Sequence, residues 1–292
     1  MAGTEAPAAI GLSERRIPPG AAGLLAPLSA EAGWNQVAAD WRFMLEAGEG
    51  KGFVDSSGRW VAPALIVPLG NHVKWISMVV TARAWRHRGL CTRLLKDRIA
   101  RVRATGAAAG LDATEQGRPI YAALGFRPLY ELKRWHLKQA PRKAPPPEGT
   151  EIRPMLAGDL GAVSALDRRL SSLDRARVLD HLFDRAPLLA HVAEAEGTLT
   201  GFVLGREGRI ATQIGPVIAE DEATALALAS CAADAMPPPF ILDVPDRQSG
   251  MADWIAGAGG EAPRRFWRMT LGNAPGLADD RHVFALAGPE LA

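Results

Sequence analysis

The order of apolar patterns in residues 21–138 is met a second time in residues 151–292. A chain that repeats its own plan is held to one architecture used twice. In the first part, residues 21–32 and 36–47 have helical patterns, and "GKGFVDSSGRWVAPALIVPLGNHVKWISMVVT" contains three strands separated by turn signals at Ser56-Ser57-Gly58 and Gly70-Asn71. The third strand is expected over 73–80. Leu90, Leu94, Leu95, Ile99 and Val102 then fall on one face of a helix ending near Gly106. "GLDAT" is a short strand, "RPIYAAL" a helix stopped by Gly125, and "FRPLYELKRWHL" a strand. The second part gives a strand at "TEIRPM", helices at 159–170 and 174–185, three strands, a helix at 220–236, the strand "FILDVP", a helix at 249–257 and the strand "RRFWRMTL". Asp112 to Trp135 is 23 residues and Asp243 to Trp267 is 24, a spacing that fits an ancient duplication.

Between the copies, "QAPRKAPPPEGT" (139–150) joins three consecutive prolines to charge without apolar periodicity, which marks an extended connector. The expected domains are therefore 21–138 and 151–292, after a loosely held lead-in of 1–20 rich in Ala, Pro and Gly. With 48% hydrophobic and 23% charged residues the composition is that of a globular protein, and no apolar run approaches the length of a membrane span. The start of the chain lacks the pattern of a signal peptide, so a cytoplasmic location is expected, with no membrane partner. Cys91 and Cys231 are the only cysteines and sit in no CxxC or Cys/His cluster, so neither disulfide framework nor metal site is signalled. A net charge of +2 excludes the strongly basic class of sequence-independent nucleic-acid binders.

One stretch concentrates chemistry. "WRHRGLCTRLL" (85–95) sets Arg86, His87, Arg88 and Arg93 around Gly89, between the third strand and its following helix. A strand-to-helix turn presents unpaired backbone N–H groups at the positive end of the helix dipole, an arrangement that favours a phosphate. Taken alone, such a turn is more often a solvated basic surface.

The residues Arg86-His87-Arg88-Gly89-Leu90-Cys91 resemble the R/Q-x-x-G-x-G/A pyrophosphate loop of the GNAT superfamily of acyl-CoA N-acyltransferases, with Cys91 where Gly or Ala is usual. Downstream, "LDATEQGRPIYAALGF" resembles the family's strand and helix ending in Y-x-x-x-G-F, matched at Tyr121, Gly125 and Phe126. The resemblance covers roughly 21–138. It implies an α/β (α+β) fold of two GNAT-like domains in tandem, each a mixed, mostly antiparallel sheet flanked by helices. It also implies that backbone amides of Met78, Val79 and Val80 hold the pantetheine arm of acetyl-CoA and polarise its thioester. The turn Arg86, His87, Arg88, Gly89, Leu90, Cys91, Thr92 would hold the pyrophosphate. Tyr121 takes the place of the proton donor to the departing CoA thiolate, a role its phenol suits, with an ordinary pKa of ~10. No metal is implied.

The base that takes the amine proton is left unassigned: Glu115, Asp112 and His72 are candidates with structural alternatives, and a water chain would serve. A nucleophilic Cys91 is disfavoured because no acidic or amide residue is placed to orient His87. Trp34 and Asn35, between the two first helices, are the candidates for contact with the acceptor, and Trp34 could equally anchor the helix pair.

The second copy has "IAEDEATALAL" where the first has its basic glycine turn, and Asp253-Trp254 where the first has Tyr121. Acids at a helix start suit the dipole and oppose a pyrophosphate. This half resembles the degenerate C-terminal domain of tandem bacterial acetyltransferases, including the closing "FALAGPEL". The expectation is an acetyl-CoA-dependent N-acetyltransferase acting on a small-molecule amine, as a monomer or homodimer and without nucleic acid. The alternative is a non-catalytic acyl-CoA-binding or scaffold protein.

Overall fold

A computed structural model describes residues 11–292. Packing divides them into two compact units, the first running to Val67 and resuming over Ile76–Gly106, the second comprising Pro68–Trp75 and Ala107–Ala292. This division differs from the two sequence repeats cut at 139–150. The reason is the way the repeats share strands.

The first unit holds strands β1 (Ser13–Ile17), β2 (Glu49–Val54) and most of β3 (Trp60–Leu69), all antiparallel, with Ser13 opposite Val54 and Glu49 opposite Ile66. The lead-in expected to be loosely held thus contains a paired strand over Ser13–Ile17; its residues 1–10 lie outside the described residues. Glu14 fixes that strand through Lys51 at 2.6 Å and Arg93 at 2.8 Å, and Ile17 enters the core. The helices are α1 (Ala22–Glu31), α2 (Ala38–Ala47) and α3 (Leu90–Arg103). Trp41 of α2 is fully buried, and its indole N–H donates to the Ser29 hydroxyl at 3.1 Å. On α3 the apolar face predicted from spacing is the buried one, with Leu94, Leu95, Ile99 and Val102 in the core.

The second unit is built on one sheet in the order β4-β5-β12-β6-β11-β10-β9-β8-β7. Its strands are β4 (Val73–Ser77, here through Trp75), β5 (Ala108–Thr114), β6 (Arg127–Leu137), β7 (Thr150–Pro154), β8 (His191–Ala195), β9 (Thr198–Glu207), β10 (Thr212–Ala219), β11 (Phe240–Pro245), β12 (Glu261–Leu271) and β13 (Val283–Ala285), the last paired to β10. Among the described residues of this unit, only β4/β5 and β10/β11 pair in parallel. The sheet is thus mixed and mostly antiparallel. Helices α4 (Arg118–Ala123), α5 (Leu160–Ser171), α6 (Ala176–Arg185), α7 (Glu222–Ala235) and α8 (Ser249–Gly257) complete the unit. The alanine-rich α7 contributes Ala225, Leu228, Ala229 and Ala232 to a core shared with Val203, Val217, Phe240 and Leu242.

The strand order shows an exchange. β6, from the first repeat, pairs with β11 of the second, and β12, from the second repeat, pairs with β5 of the first. The two exchanged strands lie antiparallel to one another, with Leu132 opposite Phe266. On either side of that pair stand two matching ion pairs. Arg134 of β6 reaches Asp243 of β11 through two bonds of 2.8 Å, and Arg268 of β12 reaches Asp112 of β5 through two of 2.9 Å. All four side chains are at most 5% exposed. The bidentate geometry satisfies both charges without water. The arginines, and not Trp135 and Trp267, are therefore the equivalent residues of the two copies. Asp112 to Arg134 is 22 residues and Asp243 to Arg268 is 25, so the nearly equal tryptophan spacings do not join equivalent positions.

The third strand is shorter than expected, ending at Ser77 and not at Val80. The chain turns out at Met78, whose φ is 54°, and rejoins β3 only at Ala82, which donates to the Val61 carbonyl at 2.8 Å.

Removing one partner of a buried ion pair leaves an uncompensated charge, whereas removing both leaves none. Arg134→Ala is expected to lower unfolding free energy by about 3–5 kcal/mol. Arg134→Met combined with Asp243→Leu is expected to cost clearly less. Urea unfolding of the three proteins measures both; equal losses would contradict the assignment of the pair as the tie between the repeats.

Candidate functional site

The basic turn lies in the first unit. A short 3-10 turn, Arg83–Trp85, leads into residues 86–89, where His87 (φ 61°) and Gly89 (φ 73°) both take left-handed backbone conformations. Left-handed residues alternating with extended or right-handed ones point successive N–H groups to one side, and such nests bind anions. Gly89 is the N-cap of α3, and no side chain caps that helix. A Cβ built on Gly89 would meet no atom within 4 Å, so the space above the helix start is open. What demands glycine there is the backbone angle, which side chains other than Gly adopt at a cost.

The cations around the turn are of two kinds. Arg83 is tied to Glu31 at the end of α1, its main-chain N–H donating to the carboxylate at 3.0 Å and its guanidinium lying 3.9 Å away, and Arg93 is paired with Glu14 at 2.8 Å. Arg86 and Arg88 bond instead to main-chain carbonyls: Arg86 to Thr81 at 3.2 Å, Arg88 to Ala84 at 3.3 Å. Arg88 also lies over the Trp85 ring at 4.6 Å. Both guanidiniums are exposed and keep their charge unneutralised by any carboxylate among the described residues. Leu90 is buried beneath the turn, and Thr92 is half-buried in the first turn of α3.

Thr81, which no motif marks, closes this loop from both ends. Its carbonyl accepts from Arg86 and its hydroxyl lies 2.9 Å from the Cys91 sulfur. Burial pushes the Cys91 thiol above its ordinary pKa, against weaker opposing effects of Thr81 and Arg86. The thiol is held protonated at neutral pH, which fits a small residue filling space and not a nucleophile.

Trp34 and Asn35 lie in the first unit, just past α1 and three and four residues beyond Glu31, the residue bonded to Arg83. Trp34 is half-buried, with its N–H donating to the Ser29 carbonyl at 2.8 Å, while Asn35 is 1% exposed. Asp40 caps α2 by accepting from the Val37 N–H at 2.8 Å. Met78 and Val80 are buried and Val79 is half-buried, in the outward turn after β4.

Tyr121 belongs to the second unit. It stands on α4, half-exposed, with its ring edge-on to Phe126 at 6.0 Å, and the Phe126 N–H donates to its carbonyl at 3.1 Å. The Y-x-x-x-G-F spacing is thus a local fold. Gly125, at φ 94°, reverses the chain so that Phe126 packs on the tyrosine. Of the three base candidates, Asp112 is consumed by Arg268. Glu115 and His72 are exposed, the latter at the tip between β3 and β4.

The second repeat shows the opposite helix start. Asp221 caps α7, its carboxylate accepting from the Thr224 N–H and hydroxyl, each at 2.8 Å. Glu220 pairs with Arg169 at 2.7 Å. The amides that would meet an anion are already answered by the chain's own carboxylate.

Residues 163–285 match the family model of the acetyltransferase (GNAT) domain, which lies in the second repeat. A candidate acetyltransferase from Pyrococcus horikoshii superposes over 100% of this chain and 99% of its own, with a TM-score of 0.80 at 20% identity. The chain has a tandem GNAT fold. A GCN5-related N-acetyltransferase from Sphaerobacter thermophilus shares the GNAT fold over 89% of this chain and 95% of its own (TM-score 0.63, 17% identity). So does a tandem GNAT protein from the clavulanic acid biosynthesis pathway, over 90% and 99% (TM-score 0.61, 15% identity). No curated protein sequence matches the chain. Among the described residues of this GNAT-fold chain, no group of three or more His, Cys, Asp or Glu is placed to hold a metal ion, and no helix is long and apolar enough to cross a membrane.

If Cys91 only fills space, Cys91→Ala is expected to keep ligand affinity at the basic turn within about twofold, a free-energy change below ~0.5 kcal/mol. In the natural chain, alkylation of Cys91 at pH 8 is expected to be slower than that of a free thiol and to rise as pH passes the ordinary thiol value, because only the thiolate reacts. Peptide mass mapping after timed iodoacetamide treatment reads both. Fast alkylation at neutral pH would contradict the buried, protonated thiol.

Proposed function

We propose that this protein is an acetyl-CoA-dependent N-acetyltransferase acting on a small-molecule amine, with its cofactor turn in the first repeat. The observation that carries the reading is the contrast between two helix starts in one chain. The start of α3 is uncapped, left-handed at Gly89 and flanked by the unneutralised Arg86 and Arg88, whereas that of α7 is capped by its own Asp221. An anion with several oxygens suits the first and not the second. A pyrophosphate fits that description, and acyl-CoA carries one.

In this reading the N–H groups of residues 86–92 hold the pyrophosphate. Val79 and Val80, in the segment between Ser77 and Ala82, are the residues we assign to donate N–H groups to the thioester arm and to the oxygen that becomes negative on attack. The acceptor nitrogen attacks the thioester carbonyl, a C–N bond forms, the C–S bond breaks, and the thiolate takes a proton from the Tyr121 hydroxyl. The nitrogen loses its own proton to a base that we leave unassigned, Asp112 being excluded by its pairing with Arg268. Trp34 and Asn35 are the residues we assign to the acceptor. No covalent enzyme intermediate is needed, in keeping with a protonated Cys91. A binding or scaffold role without turnover is the alternative, and release of free CoA thiol with a panel of amines separates the two.

Gly89→Asp would place a carboxylate over the helix start at an unfavourable backbone angle. CoA affinity is expected to fall tenfold or more by calorimetry, above ~1.4 kcal/mol. Unchanged binding would remove the turn from the cofactor site. Tyr121→Phe is expected to leave CoA affinity intact and to slow turnover by roughly 10²-fold once an acceptor is found. Full activity in that variant would return Tyr121 to a packing role.

A further inference from the structure

The parallel pairing of β10 with β11 stops after two positions, Thr212 opposite Phe240 and Gln213 opposite Ile241. Beyond it the strands part, and residues 282–286, the start of the closing segment 282–292, lie in the gap. On one side Ala285 pairs with Val217 and Val283 with Ile218 of β10, while the Ala219 N–H donates to the His282 carbonyl at 3.2 Å. On the other side the Leu286 N–H donates to the Asp243 carbonyl of β11 at 2.9 Å. Gly215, at φ 142°, lets the segment come close, since a Cβ there would lie 2.1 Å from the Leu286 carbonyl oxygen. Further along, the Ala287 carbonyl accepts from Arg206 at 2.7 Å, Glu290 pairs with the same arginine, and the Pro289 carbonyl accepts from the Trp75 indole at 2.8 Å. The side chains of Phe284, Leu286, Ala287 and Leu291 are at most 3% exposed.

The positions involved have counterparts in the first repeat. There the last parallel pair is Trp75 with Gly110, and Val79 and Val80 stand four and five residues beyond Trp75. Val217 and Ile218 stand four and five beyond Gln213, and these are the residues that bond the 282–292 segment. The same count along β5 and β11 reaches Asp112 and Asp243, each two residues past the last pair and each salt-bridged to an exchanged strand.

We propose that the gap between β10 and β11 is a peptide-binding site whose fixed ligand is residues 282–292 of the same chain. The peptide backbone takes the place that an acyl-CoA arm takes in our reading of the first repeat. Main-chain bonds to both strands hold it, as when an extended peptide adds to a sheet edge. The second repeat is thereby closed to CoA by occupation as well as by its acidic helix start, and the chain binds one CoA. The comparison with CoA rests on the proposed function; the peptide site itself does not.

The test uses the full chain with a protease recognition sequence inserted between the exposed Gly272 and Asn273, cut after folding. The 273–292 piece is expected to co-elute with the body on gel filtration, to remain bound in millimolar CoA, and to leave CoA stoichiometry at one per chain. In a cut Leu286→Pro variant, which lacks the N–H donated to Asp243, the piece is expected to leave at least about tenfold faster. Prompt loss of the piece from a body that stays folded, its displacement by CoA, or equal retention in the Leu286→Pro variant would each overturn the proposal. If insertion disturbs folding, amide exchange in the unaltered chain decides: Leu286 is expected among the slowest amides, and rapid exchange there overturns the site. A chain that binds no CoA defeats the acetyltransferase reading, while the retention and exchange measurements still judge this one.

Discussion

The exchange of β6 and β12, each locked by a buried arginine to a carboxylate of the other repeat, is the constraint on which the rest of the second unit depends. Fully buried charges are tolerable only when paired and hydrogen-bonded, and each arginine here meets its aspartate through two bonds. Arg268 is further enclosed by the rings of Trp75 and Tyr130, at 4.7 and 5.4 Å, and Arg134 by Phe266 at 5.3 Å. Burial in this polar interior pushes the Tyr130 phenol up to about 12, so it stays neutral and serves as a wall. The register of four strands follows from these contacts. A slip of one residue would turn each arginine to the opposite face of the sheet and strand its aspartate.

That central lock explains why the linker at 139–150 is not a domain boundary in the packing sense. The residues before it, in β6, are already inside the sheet of the second unit, and the linker leads from there to the strand at the far edge. Part of it is held, with Ala144 bonded to Ser230 of α7 at 3.2 Å and the Trp254 indole donating to the Arg142 carbonyl at 2.8 Å. A proline-rich composition signals an extended chain and carries no information on whether that chain crosses solvent or a surface.

Local patterns were legible in the sequence, and pairings between distant segments were not. The helix at 90–103, the strand at 240–245 and the tyrosine element with its reversing Gly125 depend on neighbours within a few residues, so periodicity and turn chemistry disclose them. The basic turn was visible for the same reason. Its closure by Thr81, ten residues from Cys91, was not, because a threonine at that distance has no signature. The strand expected over 73–80 stops at Ser77 although Val79 and Val80 favour strands, since the left-handed backbone at Met78 overrides their propensity. Asp112, a candidate base by position, is an ion-pair partner of an arginine more than 150 residues away, a relation no linear pattern encodes. Strand β1, in a segment whose composition suggested a loose lead-in, is held by Glu14 to cations on β2 and α3.

The two unlike helix starts also bear on kinetics. A multiply charged anion approaching the chain meets attraction at the turn of Arg86 and Arg88, neither of which is paired with a carboxylate, and repulsion at Asp221 and Glu222, Glu220 being offset by Arg169. Such fields act over roughly 10 Å at moderate salt and change encounter rates more than the stability of the final complex. If the first-repeat turn holds an anion as proposed, the speed of its capture falls as the ionic strength of the surroundings rises.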